Sequence, residues 1–173
     1  HRENLERLVA ERTGQLQASE ERYRSLVETA FDWVWEMDAQ GRYTYASPGV
    51  LDLLGHRPAD VLGRTPFDFM PAAEARRVKS LFEQIAAKRQ PFAMLENTNR
   101  HRDGHEVILE TSGTPILSTA GEFLGYRGMD RDITERRQAE AAVRESAMKY
   151  RTLFEGSRDA IITADPETYD FLS

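Results

Sequence analysis

The sequence predicts an α+β domain with two strands, a helical middle and three further strands. Three observations indicate this order. Large apolar residues recur at every second position, Trp33, Trp35 and Met37, with Asp32, Val34 and Glu36 between them, which is typical of a half-buried strand. Proline and glycine restrict residues 48–70 to short helices, and a longer helix then ends at Pro91. Three strand-like segments follow, with turns at 102–104 and 118–121 between them.

Composition excludes several classes of protein. The 173 residues include 23 Lys and Arg against 29 Asp and Glu, a net charge of −6, which lacks the basic footprint of a nucleic-acid-binding protein. No segment approaches the ~20 apolar residues of a membrane span. Because the chain has no cysteine, disulfides, zinc–thiolate sites and cysteine nucleophiles are excluded. The chain starts at His1 and stops within a repeated pattern, so we expect it to be part of a larger protein.

Residues 1–27 predict a charged helix with a weak coiled-coil stripe. Apolar residues recur at spacings of four and three, the a/d pattern of a coiled coil, and Arg12 and Ser19 interrupt the pattern. We call this stripe the seam; its members are Leu5, Val9, Leu16, Tyr23 and Leu26. The seam predicts a homodimer. The alternative is a single amphipathic helix that lies on the following domain.

Local signals place the elements of the domain itself. Trp33, Trp35 and Met37 form the apolar side of the first strand, residues 38–41 form a turn, and residues 43–45 form the second strand. The remaining predicted elements are a short helix over 49–54, a longer helix over 71–89, and strands over 92–101, 106–116 and 122–131.

A second long helix is predicted over residues 133–153. Asp132 precedes it, and its carboxylate would accept hydrogen bonds from the free N–H groups of the first turn. Residues 149–165 repeat residues 22–38, with six of seventeen positions identical. This repeat indicates a tandem array in which a second copy starts within residues 147–173.

Five short motifs occur in order along the chain: ERYRSL at 21–26, DAQG at 38–41, YASP at 45–48 leading to LG at 54–55, RDG at 102–104, and GYRG at 125–128 running into DITERR at 132–137. Together they make the unit over residues 20–137 resemble a PAS domain with its C-terminal PAC half. Such domains occur in bacterial sensor histidine kinases and cyclic-di-GMP enzymes.

The resemblance implies a PAS fold, a five-stranded antiparallel sheet with short helices on one face, over residues 20–132. It also implies that signals pass through the flanking helices, with Asp132, Ile133 and Thr134 as the junction to the exit helix. The alternative for this junction is a stabilising N-cap alone. We therefore expect a cytoplasmic sensory or relay module that dimerises and acts on adjacent PAS and effector domains of the same chain, without nucleic acid or direct membrane contact.

Strand parity, oriented by the family pattern, predicts which side chains face the concave side of the sheet. We call this side the cradle; its predicted members are Trp33, Trp35, Met37, Tyr43, Tyr45, Asn97, Asn99, Leu109, Thr111, Tyr126 and Asp130. Aromatic rings with a few polar groups suit FAD or a small planar metabolite. In flavin-binding relatives an asparagine at the position of Asn99 bonds the flavin, but a glutamine stands where this chain has Asp130. The alternative is that the aromatic rings fill the cradle as an ordinary core.

Other chemistry is not expected. The lack of cysteine excludes the cysteine-adduct flavin and cysteine-linked chromophores of related domains, and haem is not expected because the helix over 71–89 has no histidine. His101 and His105 flank a turn, but no metal site is predicted there because no motif places a carboxylate or thiolate partner. No catalytic motif occurs, so we predict no enzyme activity for this chain. The alternatives to a relay are an FAD-binding redox sensor and a ligand-free dimerisation spacer.

Overall fold

This computed structural model describes residues 2–29 and 32–156, which contain five strands and five α-helices. In chain order they are α1 (Arg2–Thr29), β1 (Trp33–Asp38), β2 (Tyr43–Ala46), α2 (Gly49–Leu54), α3 (Pro58–Val61), a 3₁₀ turn (Pro66–Phe69), α4 (Ala72–Ala87), β3 (Phe92–Arg100), β4 (Glu106–Leu117), β5 (Phe123–Asp132) and α5 (Thr134–Gly156). The predicted order of elements is confirmed. The chain divides into two units, residues 1–134 and 135–173, and the sheet lies wholly in the first.

The five strands form one sheet in the order β2-β1-β5-β4-β3, and every neighbouring pair is antiparallel. The first and last strands therefore lie side by side, with Trp33 opposite Asp130 and Trp35 opposite Gly128. The predicted five-stranded antiparallel sheet is confirmed.

The core lies between the concave face of the sheet and the short helices. Trp35, Tyr126 and Leu109 project from three different strands and are at most 1% exposed. Val50 and Leu54, on one face of α2, are fully buried against them. Each such side chain contributes roughly 1.5–3 kcal/mol of burial free energy, so this layer is what holds the helices on the sheet.

Helix α4 contributes a narrower stripe than its sequence predicts. Val78 is buried and Phe82 and Ile85 are half-buried, as predicted. Leu81 was expected on the same stripe, but 37% of its surface is exposed. Helix α4 packs against the 3₁₀ turn as well as against the sheet.

Helix α1 exposes four of the five residues predicted to form the seam. In the single chain, Leu5, Val9, Leu16 and Tyr23 are 58–63% exposed, and the side chain of Leu26 lies outside the described ones. The coiled coil and the dimer stay predictions. Residues 157–173, which carry most of the predicted second repeat, also lie outside the described residues. Among the helices of the described ranges, none is long and apolar enough to cross a membrane.

Gly125 makes the closest backbone approach between β1 and β5. Its φ is +143°, and a Cβ there would collide with the carbonyl oxygen of Met37. We expect Gly125→Ala to lower the free energy of unfolding by more than about 3 kcal/mol, because left-handed strain of roughly 1–2 kcal/mol adds to a backbone clash. Urea denaturation followed by tryptophan fluorescence measures this loss.

Gly121→Ala is the matched control for Gly125→Ala. Gly121 also has positive φ, +81°, but open space surrounds the position of its Cβ. This variant should lose only the strain, roughly 1–2 kcal/mol. Equal losses in the two variants would show that the close approach of β1 and β5 does not constrain the sheet.

Candidate functional site

The structure buries nine of the eleven predicted cradle residues on the concave face of the sheet. The nine are Trp33, Trp35, Met37, Tyr43, Asn97, Asn99, Leu109, Tyr126 and Asp130, each at most 4% exposed. Thr111 lies on the same face and is half-buried. Asp130 is thus an inward-facing carboxyl and not an exposed residue at a strand end.

Tyr45 is the exception, and the prediction that it faces the cradle is wrong. On β1, Met37 pairs with Tyr43, and the preceding residue, Glu36, pairs with Tyr45 and not with Thr44. Thr44 is therefore an extra residue in β2, a β-bulge, and a bulge reverses the alternation of side chains beyond it. Tyr45 is consequently 37% exposed on the convex face, and Ala46 takes the inward position.

A chain of hydrogen bonds crosses four strands inside the cradle. The Asn99 amide donates to Asn97 Oδ1 at 2.6 Å, and the Asn97 amide donates to Thr111 Oγ1 at 2.7 Å. The Thr111 hydroxyl and the Trp35 indole N–H both bond the Asp130 carboxyl, the indole at 3.2 Å. We call these five residues the polar chain. Each of the five residues has at least one hydrogen-bond partner, which lowers the cost of burying amides and a carboxyl.

The polar chain ends at a carboxyl that burial pushes toward its neutral form. Burial raises the pKa of Asp130 to about 7, although the hydrogen bonds from Thr111 and Trp35 oppose the shift. The nearby charge of Asp32 adds a smaller contribution in the same direction as burial. Burial likewise raises the pKa of Tyr43 well above its usual value, with Asp130 as the next cause. The cradle therefore favours the uncharged forms of its acids.

The space left inside the cradle is small. A cavity of about 40 Å³ lies between the polar chain and the helices. This volume suits one or a few water molecules, whereas ligand pockets are typically several hundred Å³. Phe67, Met70 and Phe82 close the cavity from the helical side. Phe82 also stacks edge-on against Tyr126, with ring centroids 5.4 Å apart. An isoalloxazine ring does not fit this conformation of the cradle.

Phe67 and Met70 are cavity-lining residues that the sequence analysis missed. They lie in and beside the 3₁₀ turn over Pro66–Phe69, a segment predicted only as short helical turns. Strand parity locates residues of a sheet, but it gives no orientation for a turn. The signal that could have found them is the pair of prolines, Pro66 and Pro71, which bracket three large apolar residues.

The junction between sheet and exit helix is tied to two strands. The backbone N–H of Thr134 donates to Asp132 Oδ1 at 2.8 Å, which is the predicted N-cap contact. The Thr134 hydroxyl in turn accepts a hydrogen bond from the N–H of Ile108 on β4 at 2.9 Å. Ile133, which is 4% exposed, donates its N–H to the carbonyl of Ile108 at 2.9 Å. The first residue of α5 is thereby bonded to β4 as well as continuous with β5.

The convex face of the sheet carries a wide, mostly apolar groove of about 800 Å³. Tyr23 of α1 and the reoriented Tyr45 both line it, together with Met129 of β5. Tyr23 thus belongs both to the seam and to a surface of the domain.

The chain belongs to the PAS fold family. The model of that family, described as "PAS fold", matches residues 27–138, which include the whole sheet and the junction. PAS domains are sensory modules of signalling proteins.

Curated relatives and a solved structure agree with this assignment. The chain is 25% identical over 143 residues to the nitrogen fixation regulatory protein of Klebsiella pneumoniae, covering 83% of this chain and 29% of that protein. It is 29% identical over 125 residues to the methanogenesis regulatory histidine kinase FilI of Methanothrix harundinacea, covering 72% of this chain and 14% of that protein. The chain therefore spans less than a third of the length of either relative.

A sensory box histidine kinase/response regulator from Burkholderia thailandensis E264 has a similar solved structure. Its TM-score with this chain is 0.61 at 23% identity, over 76% of this chain and 99% of that one. This likeness shows the shared fold. The cradle, the polar chain and the junction are thus features of a PAS sensory domain.

The raised pKa of Asp130 predicts a pH-dependent stability. Because its folded-state pKa of about 7 exceeds the unfolded value near 4, the stability it contributes is fully present below about pH 4 and is lost as pH rises through about 7. Asp130→Asn removes this titration. We expect the free energy of unfolding of the native chain to fall by roughly 2–3 kcal/mol more than that of the variant between pH 5 and 8.

Urea denaturation at several pH values measures this difference. Asp52→Asn, a variant of an exposed aspartate on α2, is the control and should keep the pH dependence of the native chain. Parallel stability curves for the native chain and Asp130→Asn would contradict a carboxyl that is neutral in the folded state.

Proposed function

We propose that this chain is a relay PAS module that works as a homodimer and passes changes in its sheet through α5 to an effector domain. The observation that carries the proposal is the junction, where Thr134 is hydrogen-bonded to both Asp132 and Ile108. A helix start held by two strands follows the displacement of those strands, whereas a loose loop would absorb it. Adjacent PAS and effector domains of the same cytoplasmic chain would receive the change.

The effector that we propose is that of a sensor histidine kinase or a cyclic-di-GMP enzyme. A histidine kinase among the relatives supports the first of these. The described residues of this chain would then supply detection or relay, and catalysis would belong to another domain.

The dimer proposal rests on the seam of α1. Large apolar side chains that are about 60% exposed in the single chain become buried when two such helices pair. Tyr23 also lines the convex groove of the sheet, so the seam continues onto the domain. Pairing through α1 would therefore join the two copies at a helix that already contacts the sheet of its own copy through Tyr23.

Replacing Leu16 with Lys tests the dimer. Leu16 lies in the seam, and each buried leucine is worth roughly 1.5–3 kcal/mol, so the loss of two per dimer should weaken dimerisation at least about tenfold. Leu8→Lys is the matched control, because Leu8 is 52% exposed on the same helix but lies off the seam. Sedimentation equilibrium measures both dissociation constants. A native chain that stays monomeric, or equal weakening by both variants, would contradict pairing through the seam.

Replacing Thr134 with Val tests the coupling at the junction. The isosteric change removes the hydroxyl that accepts from Ile108 and should cost about 1 kcal/mol. Hydrogen exchange should then speed up roughly fivefold at Ile108 and also in the first turn of α5. Thr152→Val removes a hydroxyl that bonds only within α5 and is the control. Faster exchange at Ile108 alone would show that the strand and the helix start are not coupled.

A second candidate function is a sensor for FAD or a small planar metabolite. The polar chain favours it, since two buried asparagines and a carboxyl offer donors and acceptors to a ligand. Such a ligand would require Phe82 and Met70 to move away from the cavity. Flavin absorption near 450 nm after purification or reconstitution would support this candidate. A colourless protein that takes up no flavin would exclude FAD and leave a colourless metabolite, the relay or a ligand-free spacer.

A further inference from the structure

We propose that the hairpin between β3 and β4 binds a divalent transition metal such as Zn²⁺ through His101, Asp103 and His105. This hairpin lies apart from the cradle and from the cavity inside it. The proposal rests on the place and mutual geometry of these three side chains and does not depend on the relay function.

The turn brings three ligand types together on one short loop. His101 donates its backbone N–H to the carbonyl of His105 at 2.8 Å, which closes the hairpin. Asp103 occupies the tip, and its Oδ1 accepts the backbone N–H of His105 at 3.1 Å. The two imidazoles are stacked on one side of this loop, with centroids 4.4 Å apart.

One ligand atom from each of the three side chains lies close to the others, and His101 Nδ1 accepts the backbone N–H of Asp103 at 3.3 Å, a hydrogen bond that a metal would replace. Nδ1 of His101 lies 2.9 Å from Asp103 Oδ1, and Nδ1 of His105 lies 2.5 Å from the same oxygen. One ligand atom from each of the three residues can be chosen so that all lie within 4.8 Å of one another. Ligands about 2 Å from a tetrahedral zinc ion are separated by a little over 3 Å, which is close to these distances. Because the imidazoles are stacked at an interplanar angle of 24°, zinc binding requires them to rotate so that both Nδ1 atoms face the ion. The soft χ2 torsion of histidine permits this rotation.

His101 is held in place by the rest of the domain. Its side chain is 20% exposed, and its ring lies so close to Gly55 that a Cβ there would be 2.6 Å from Nε2. Nε2 is thereby turned toward α2, and Nδ1 is the nitrogen that faces the turn. The backbone N–H of Arg102 donates to the carbonyl of Leu54 at 2.9 Å, which fixes the hairpin on the end of α2. One ligand is therefore positioned before a metal arrives.

The donor set selects the metal. Two imidazoles and a carboxylate suit Zn²⁺, Cu²⁺ or Ni²⁺ better than Mg²⁺ or Ca²⁺, which prefer oxygen ligands. Three protein ligands leave a fourth zinc position for water or a partner group. The sequence analysis predicted no metal here because it found no carboxylate partner. Asp103, in the turn itself, supplies that carboxylate.

Calorimetric titration of the untagged chain with ZnCl₂ tests the proposal. We expect saturable binding of one zinc ion per chain. His105→Ala should weaken it at least about tenfold, since even partners outside the first coordination sphere change metal affinity 10–100-fold. His105 is the safest ligand to remove because 57% of its side chain is exposed. Asp103→Asn keeps an oxygen that can accept the backbone N–H of His105 and should also weaken binding.

His56→Ala is the matched control, since it removes a histidine next to Gly55 that is not among the three ligands; it should leave the zinc affinity unchanged. Titration with Co²⁺ gives a second readout, because d–d absorption bands report the number and type of its ligands. Thermal unfolding of each variant without metal shows whether it is folded. Absence of saturable zinc binding, or equal affinity in the native chain and folded His105→Ala, would overturn the proposal.

Discussion

The antiparallel pairing of β1 with β5 is the constraint on which the rest of this domain depends. It joins strands about a hundred residues apart in sequence, so its loop-closure entropy must be offset by the contacts it creates. The Trp35 ring lies over Gly128, where a Cβ would come within 2.5 Å of the indole. The same pairing brings the indole N–H to the Asp130 carboxyl. The absence of a side chain at Gly128 thus makes room for the Trp35 ring. In this position the indole N–H reaches the Asp130 carboxyl.

A carboxyl inside an aromatic core is costly, and the cradle limits the cost in two ways. The polar chain supplies donors to Asp130 from Thr111 and Trp35, and burial shifts the carboxyl toward the neutral form. A leucine at this position would need neither hydrogen-bond donors nor a change of protonation state to be buried. Retention of an acid there is consistent with a cradle whose packing responds to protonation or to a polar ligand, because either event changes the number of acceptors that the chain presents.

Much of the sheet could be predicted because its parity is regular. Trp33, Trp35 and Met37 alternate without interruption. Once the family pattern placed one of them on the inner face, parity placed the other two there as well. Tyr45 could not be placed, because a single extra residue in β2 reverses its direction and leaves no trace in the pattern of Tyr43–Tyr45. Phe67 and Met70 were missed for a related reason: proline-rich turns have no periodicity from which to read direction. The cradle was therefore predictable where strands and a long helix are regular, and not at the β-bulge or in the proline-bracketed turn.

Strand β4 connects the junction with the proposed metal-binding hairpin. Ile108, which bonds both Ile133 and Thr134, lies near the start of β4, three residues after His105. A metal that restrains the hairpin would restrain the strand segment that holds the start of α5. Residues 101–105 are therefore a short distance in sequence from the strand segment that bonds the start of α5, whereas the cradle lies on the concave face of the sheet. Under the proposed relay function, the cradle and the proposed metal site would act on the same helix start without sharing a residue.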